Sequence, residues 1–150
     1  MEHRIEKSIA LAAPVSRVWR ALTDYVEFGE WFGVRLESSF EPGRATRGHL
    51  TYPGYEHVAM EVVVQEIEPQ RLFSYTWHPY AIDPGVDYSS ETPTLVEFRL
   101  EPTHDGTLLR VIESGFDKIP DARRAEALRM NDGGWTQQMK SIEQYVADNP

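Results

Sequence analysis

Cysteine is absent from all 150 residues. A chain without cysteine can form no disulfide, no thiolate metal site and no thiol nucleophile, so we predict a cytoplasmic protein. Long apolar runs are also missing, whereas a transmembrane helix needs about 20 consecutive apolar residues. The first ten residues, MEHRIEKSIA, lack the apolar region of a signal peptide. We therefore expect no association with a membrane.

Positive charge is in short supply. The chain has 15 basic and 24 acidic residues and a formal net charge of -9. A protein this acidic is a poor partner for nucleic acid, because phosphate recognition depends on lysine and arginine. We therefore predict no binding of nucleic acid.

Several catalytic and cofactor motifs are absent as well. There is no Gly-x-Ser-x-Gly elbow and no glycine-rich loop for nucleotide phosphates. The five histidines are scattered without the spacing of a zinc site, which needs three or four converging ligands. The sequence therefore predicts neither a metal nor another cofactor.

What is present fits one ordinary globular domain. Apolar residues make up 41% of the chain and charged residues 26%, which is typical of a folded protein with a core. We predict a single domain over residues 1–150, with a monomer as the default oligomeric state.

The chain begins with a strand and two helices. Alternating apolar residues predict a strand near 4–11. The first helix follows from apolar residues at helical spacing, at Val15, Val18, Trp19 and Leu22. Asp24 is a suitable N-cap for a second short helix, which we expect to end at Gly29 or before Trp31.

Six further strands follow, separated by turn residues. Alternation and turn signals place them at 34–40, 45–52, 57–68, 72–78, 94–102 and 107–116. Successive strands joined by short turns form an antiparallel sheet. The segment from Pro79 to Pro93 is the exception, and the sequence leaves open whether it is a lid or only a long connection.

The chain ends in a long helix that starts near Pro120. One face of it carries Trp135, Met139, Ile142 and Val146. Gly133 and Gly134 lie just before that face, and we expect them to let the helix approach the sheet closely or bend around it. The alternative is a break into two helices, with Asn131 or Asp132 as the cap.

Several phrases resemble a known family. The stretches APVSRVWRALTDYVEFGEWFG, VVQEIEPQRLFSYTW, TLVEFRLEP and NDGGWTQQMKSIEQYV resemble the family named after the activator of heat-shock-protein-90 ATPase, in its small stand-alone bacterial form. That family belongs to the START-like, polyketide-cyclase-like (SRPBCC) superfamily. The resemblance implies an α+β helix-grip fold: a curved antiparallel sheet of six or seven strands, two short helices after the first strand, and a long C-terminal helix across the concave face.

A helix clamped on a curved sheet often leaves a cavity at its mouth, and such cavities are mostly apolar and aromatic. We expect a ligand site lined by Trp31, Phe32, Met60, Tyr75, Trp77, Phe98, Val111, Glu113, Trp135 and Met139. The alternative is that these side chains simply fill the core.

Two residues are candidates for acid/base chemistry. If Arg110 faces solvent, the two-residue period of a strand places Glu113 on the covered face, where burial raises a carboxyl pKa. His78 ends a strand beside aromatic residues and could titrate near neutral pH. The alternatives are a solvated or arginine-paired Glu113 and a solvated His78.

Three functions follow from these patterns. The first is binding of a hydrophobic or aromatic small molecule between the terminal helix and the sheet. The second is interaction with a chaperone, as in a stress-related co-chaperone, through an outer surface. The third is a cyclase- or hydrolase-type enzyme that uses Glu113 or His78. The superfamily resemblance does not choose among them, because one fold hosts many functions.

Overall fold

The computed structural model describes residues 3–150 of the chain. Along the chain the elements are β1 Arg4–Leu11, α1 Val15–Thr23, α2 Tyr25–Phe32, β2 Val34–Leu36, β3 Ala45–Leu50, β4 Ala59–Glu68, β5 Leu72–Trp77, β6 Thr94–Thr103, β7 Gly106–Ser114, a 3-10 turn Phe116–Lys118 and α3 Asp121–Asp148. No helix in this range is both long and apolar enough to cross a membrane.

All seven strands form one antiparallel sheet in the order β1-β7-β6-β5-β4-β3-β2. The chain thus runs from one edge strand to the other and returns strand by strand, with β1 closing against β7. Buried and exposed residues alternate along β3 and the first half of β4, because one face of the sheet meets the helices. The predicted α+β helix-grip fold is confirmed.

The second helix is longer than the sequence indicated. Asp24 is its N-cap, as predicted, and accepts hydrogen bonds from the backbone N–H groups of Val26 and Glu27. The predicted end at Gly29 or before Trp31 is wrong, because α2 continues to Phe32. The helix ends at Gly33 instead, where φ is 90°, a left-handed conformation that suits glycine.

The second strand is shorter than the predicted range 34–40. It covers only Val34–Leu36. Beyond it, the hydroxyl of Thr46 lies 2.7 Å from the hydroxyl of Ser38 and donates to the Ser38 carbonyl at 2.9 Å. These side-chain hydrogen bonds replace the regular strand ladder, which is how serine and threonine end strands and start turns.

The C-terminal helix is continuous through Gly133 and Gly134. Its predicted apolar face is buried, with exposures of 2% for Trp135 and 0% for Ile142. The expected close approach to the sheet is wrong, because a Cβ added at either position would meet no atom of residues 3–150 within 4 Å. Both glycines are exposed, so they do not bring the helix closer to the sheet.

A partly buried charged cluster fixes the end of α3 against the two short helices. Glu27 accepts a hydrogen bond from the Tyr145 hydroxyl at 2.9 Å and pairs with Arg17 at 2.8 Å and Arg20 at 2.8 Å. Burial acts to raise the pKa of Glu27, but hydrogen bonds from Tyr145 and Arg17 and the two arginine charges outweigh it and hold the pKa below its ordinary value.

Candidate ligand-binding site

Glu113 lies on the covered face of the sheet. It is fully buried, as are Leu109 and Val111 on the same face of β7, whereas Arg110 between them is partly exposed. The period-two argument therefore placed the carboxylate on the correct face. The alternative of a solvated or arginine-paired Glu113 is wrong for this structure.

Four neutral groups donate hydrogen bonds to this carboxylate. The indole N–H of Trp77 and the hydroxyl of Thr94 donate to Oε2 at 2.7 and 2.6 Å. The amide of Asn131 and the indole N–H of Trp135 donate to Oε1 at 2.9 and 2.8 Å. Two strands and the long helix are thereby joined to a third strand through one side chain.

These contacts define what Glu113 can do. A carboxylate has about four lone-pair sites, and all of them are filled here. An indole N–H can only donate, so the arrangement fits the ionised carboxylate. No lysine, arginine or histidine within residues 3–150 forms an ion pair with Glu113. The geometry therefore favours a positioning role for Glu113 over proton transfer.

Both indoles held by Glu113 pack beside a third aromatic ring. The ring centroids of Trp77 and Trp135 lie 5.8 Å apart, and each lies 6.1 Å from the centroid of Phe32. The three rings thus form a nearly equilateral triangle, which we call the aromatic triad. Aromatic pairs at this spacing attract one another beyond simple burial of area.

The aromatic triad lines a small cleft beside the helix. This cleft has a volume of about 150 Å³, and its lining consists of Phe32, Trp77, Asn131, Gly134, Trp135 and Gln138. A Cβ at Gly134 would meet nothing within 4 Å. The missing side chain therefore keeps the cleft accessible from the helix side.

A larger and more apolar cleft adjoins the small one. Its volume is about 350 Å³, and the two clefts share Phe32, Trp77 and Asn131. The remaining lining comes from β3, β4 and the segment after β5: Leu50, Val58, Ala59, Met60, Glu61, His78, Tyr80, Ala81, Ile82 and Tyr88. This volume is within the range of small-molecule pockets, roughly 300–1,000 Å³.

The predicted site residues separate into three groups. Phe32, Met60, Trp77, His78 and Trp135 line one or both of these clefts. Trp31 lines a different cleft, between α2 and α3. The others are buried and line neither of the adjoining clefts: Tyr75, Phe98, Val111, Glu113 and Met139.

Tyr75 illustrates the packed interior behind the clefts. Its hydroxyl has no hydrogen-bond partner among the described residues. Complete burial raises the pKa of this hydroxyl well above its usual value, and the charge of Glu113 raises it further. Tyr75 packs as a core residue against Phe73, Phe98 and Trp77.

Two site residues on α3 were not predicted. Asn131 lies four positions before Trp135 and Gln138 three positions after it, so helical spacing places both beside the tryptophan. The Gln138 amide N–H donates to the Phe32 carbonyl at 2.9 Å, and the Tyr52 hydroxyl donates to the same carbonyl at 2.7 Å. The amide oxygen of Gln138 is buried and has no partner within residues 3–150.

The segment from Pro79 to Pro93 forms one wall of the larger cleft and is fastened to α3. Arg123 pairs with Glu91 at 2.7 Å and donates to the Tyr80 carbonyl at 3.1 Å. Its guanidinium also lies 4.7 Å from the ring centroid of Tyr88. One arginine therefore holds both ends of this wall against the helix.

Comparisons with known proteins agree with this architecture. The profile of the Activator of Hsp90 ATPase homolog 1-like protein family matches residues 12–147. Protein MLL2253 from Mesorhizobium loti has a similar structure, with 28% identity, 98% of each chain covered and a TM-score of 0.76.

Two more distant structures share the fold. Protein CV1439 from Chromobacterium violaceum is 23% identical, with 97% of this chain and 98% of that chain covered and a TM-score of 0.73. A protein from Arthrobacter aurescens, solved by NMR, is 16% identical, with 97% and 87% covered and a TM-score of 0.80. No curated protein matches the chain.

Proposed function

The chain belongs to the Activator of Hsp90 ATPase homolog 1-like family, and we propose that this member binds an apolar or aromatic small molecule in the two adjoining clefts beside α3. The family and the fold are consistent with small-molecule binding. The observation that carries the proposal is the pair of clefts that meet at Phe32, Trp77 and Asn131.

The composition of the walls supports an apolar ligand. The larger cleft is surrounded mainly by aliphatic and aromatic side chains, and its polar groups come from Glu61, His78, Asn131 and two tyrosine hydroxyls. A few polar groups within an apolar lining give a ligand its orientation, while the apolar walls supply most of the binding free energy.

The proposed location differs from a cavity deep under the helix. Phe98 and Trp135 lie with ring centroids 5.7 Å apart, so aromatic side chains fill the space between α3 and the middle of the sheet. A ligand would therefore lie at the mouth, beside Trp135. This position leaves the core intact when the ligand leaves.

The geometry gives less support to an enzyme. Both oxygens of Glu113 are fully occupied by donors, and the buried Nδ1 of His78 has no hydrogen-bonded partner among residues 3–150. A general base needs a free acceptor within reach of the substrate proton, and it is usually oriented by a further group. Interaction with a chaperone remains a separate hypothesis that the clefts do not address.

The experiment is an amide NMR titration of labelled protein with a library of fatty acids, flavonoids and naphthalene-type aromatics. We expect shifts at residues that line the clefts. Ala81→Trp should remove them by filling the larger cleft, whereas Val86→Trp is the matched control on the same loop, because Val86 is exposed and lines neither cleft. No shifts across the library would overturn the proposal and make a chaperone middle domain the next titrant.

A further inference from the structure

We propose that the small cleft binds an ammonium group, so that the ligand is an organic cation whose apolar part occupies the larger cleft. This inference rests on the proposed function and adds the charge of the ligand. The observation behind it is a buried carboxylate that has no cationic partner within residues 3–150 and accepts hydrogen bonds from both indoles of the aromatic triad.

The carboxylate of Glu113 is a buried charge. Buried charges in proteins are normally paired with an opposite charge, because desolvation is costly. Glu113 is fully buried, yet only neutral donors contact it. Four hydrogen bonds stabilise the carboxylate, but no opposite charge within residues 3–150 is paired with it, and a cation in the adjacent cleft would supply that charge.

The aromatic triad can attract a cation. A cation is attracted to the face of tryptophan, and less strongly to phenylalanine, within about 6 Å of the ring centroid. Phe32, Trp77 and Trp135 all line the small cleft, so a group inside it meets a mainly aromatic wall. Both indoles donate to a carboxylate, which polarises their rings toward negative charge and strengthens this attraction.

The polar side chains that line the small cleft are two amides, Asn131 and Gln138. Asn131 points its amide N–H toward Glu113, and Gln138 points its own toward the Phe32 carbonyl. An N–H group of each amide is thus engaged within the protein, and the amide oxygen of Gln138 is a buried acceptor without a partner within residues 3–150. Within residues 3–150, no lysine or arginine lines either of the two clefts. Acceptors without cations favour a positively charged guest.

The volume of the small cleft limits the size of the group that it can hold. A cleft of about 150 Å³ is large enough for a compact group of several heavy atoms, since one water occupies roughly 30 Å³. A trimethylammonium group is compact, and its charge is spread over methyl groups that fit aromatic walls. The net charge of -9 adds a general attraction for cations.

The test compares two ligands of nearly equal shape on the intact protein. Choline carries a quaternary nitrogen where 3,3-dimethylbutan-1-ol carries a neutral carbon. We expect choline to shift the indole N–H signals of Trp77 and Trp135 in a nitrogen–proton correlation spectrum. We also expect choline to bind at least about tenfold more tightly than the alcohol, because attraction to the Glu113 carboxylate and the cation–π contact act together. Sodium chloride at matched concentration controls for ionic strength.

A variant tests the origin of the preference. Glu113→Gln keeps the shape and removes the charge, so the preference for choline should fall to less than about threefold, because only the weaker cation–π contact to the rings remains. Trp77→Phe keeps a ring but removes one donor, and it should reduce the preference if Glu113→Gln fails to fold. Trp19→Phe is the matched control, because Trp19 lies on α1 and lines neither cleft.

The outcomes separate the two proposals. Equal affinity for choline and the alcohol, with shifts at the clefts, would overturn the cationic ligand and leave small-molecule binding intact. Binding of neutral aromatics in the library without any binding of choline would do the same. Absence of binding for choline, the alcohol and the whole library would overturn both.

Discussion

Replacing the two helical glycines by alanine separates stability from ligand access. Gly133 and Gly134 lie inside α3, are exposed, and have no atom within 4 Å of an added Cβ. Each alanine should therefore raise the free energy of unfolding by about 1 kcal/mol, the difference in helix propensity. For a chain of this length the midpoint of thermal unfolding should rise by about 2–4 °C.

Larger side chains distinguish the two positions. Gly134 lines the small cleft, whereas Gly133 does not. Gly134→Leu should fill that cleft and weaken binding of any ligand found there by at least about tenfold, because a group occupying the cleft must be displaced. Gly133→Leu is the matched control and should leave the affinity unchanged.

Urea unfolding followed by circular dichroism, together with the NMR titration, measures both effects. A loss of stability in Gly134→Ala would refute the statement that its surroundings are open. Unchanged affinity in Gly134→Leu would show that the ligand does not use the small cleft. If both predictions hold, Gly134 is an example of stability given up for access to a cleft.

Three further predictions concern the core, the helix junction and the loop. Trp135→Ala should lower the free energy of unfolding by about 3–5 kcal/mol and abolish ligand binding, as urea unfolding and titration of the folded variant would show. The stabilisation from Glu27 should be complete above its ordinary pKa of 4.5 and disappear as pH falls through its lower folded-state pKa, and Glu27→Gln should flatten this part of the stability curve. Arg123→Ala should leave Glu91 unpaired and speed amide exchange over 79–93 at least about fivefold, since charged hydrogen bonds contribute about 1.5–3 kcal/mol.

Each of these has a result that contradicts it. Trp135→Ala with full affinity would remove this residue from the site. A stability curve that falls equally steeply with acid in Glu27→Gln would show that other carboxylates dominate the acid response. Unchanged exchange over 79–93 in Arg123→Ala would mean that the loop is held by contacts other than the arginine.

The helices and strands could be predicted from the sequence because the patterns that indicate them are local. Strand alternation and helical spacing depend on residues a few positions apart. Asp24 indicates the start of α2 because its side chain can cap the N–H groups that follow. The end of α2 could not be predicted in this way, because glycine often ends a helix but Gly29 lies within this one. Tertiary packing of Trp31 and Phe32 overrides that local preference.

The site was predictable only in part, for the opposite reason. The strand period placed Glu113 on the covered face, but its donors come from residues 77, 94, 131 and 135, which no local pattern connects. The glycines before Trp135 were visible in the sequence as missing side chains. The surroundings of these glycines depend on how α3 docks on the sheet, so their contacts could not be predicted from the sequence.

The carboxylate that joins three strands and the long helix also bears on how the molecule opens. Its four donors are separated from it by 36, 19, 18 and 22 positions. Two of them, Asn131 and Trp135, belong to α3, so the full set of contacts forms only after α3 has docked on the sheet. Contacts over such separations arise late in folding and break only when the whole unit separates. The indole protons of Trp77 and Trp135 should therefore exchange with solvent at the rate of global unfolding, long after the ends of the same helix have exchanged by fraying.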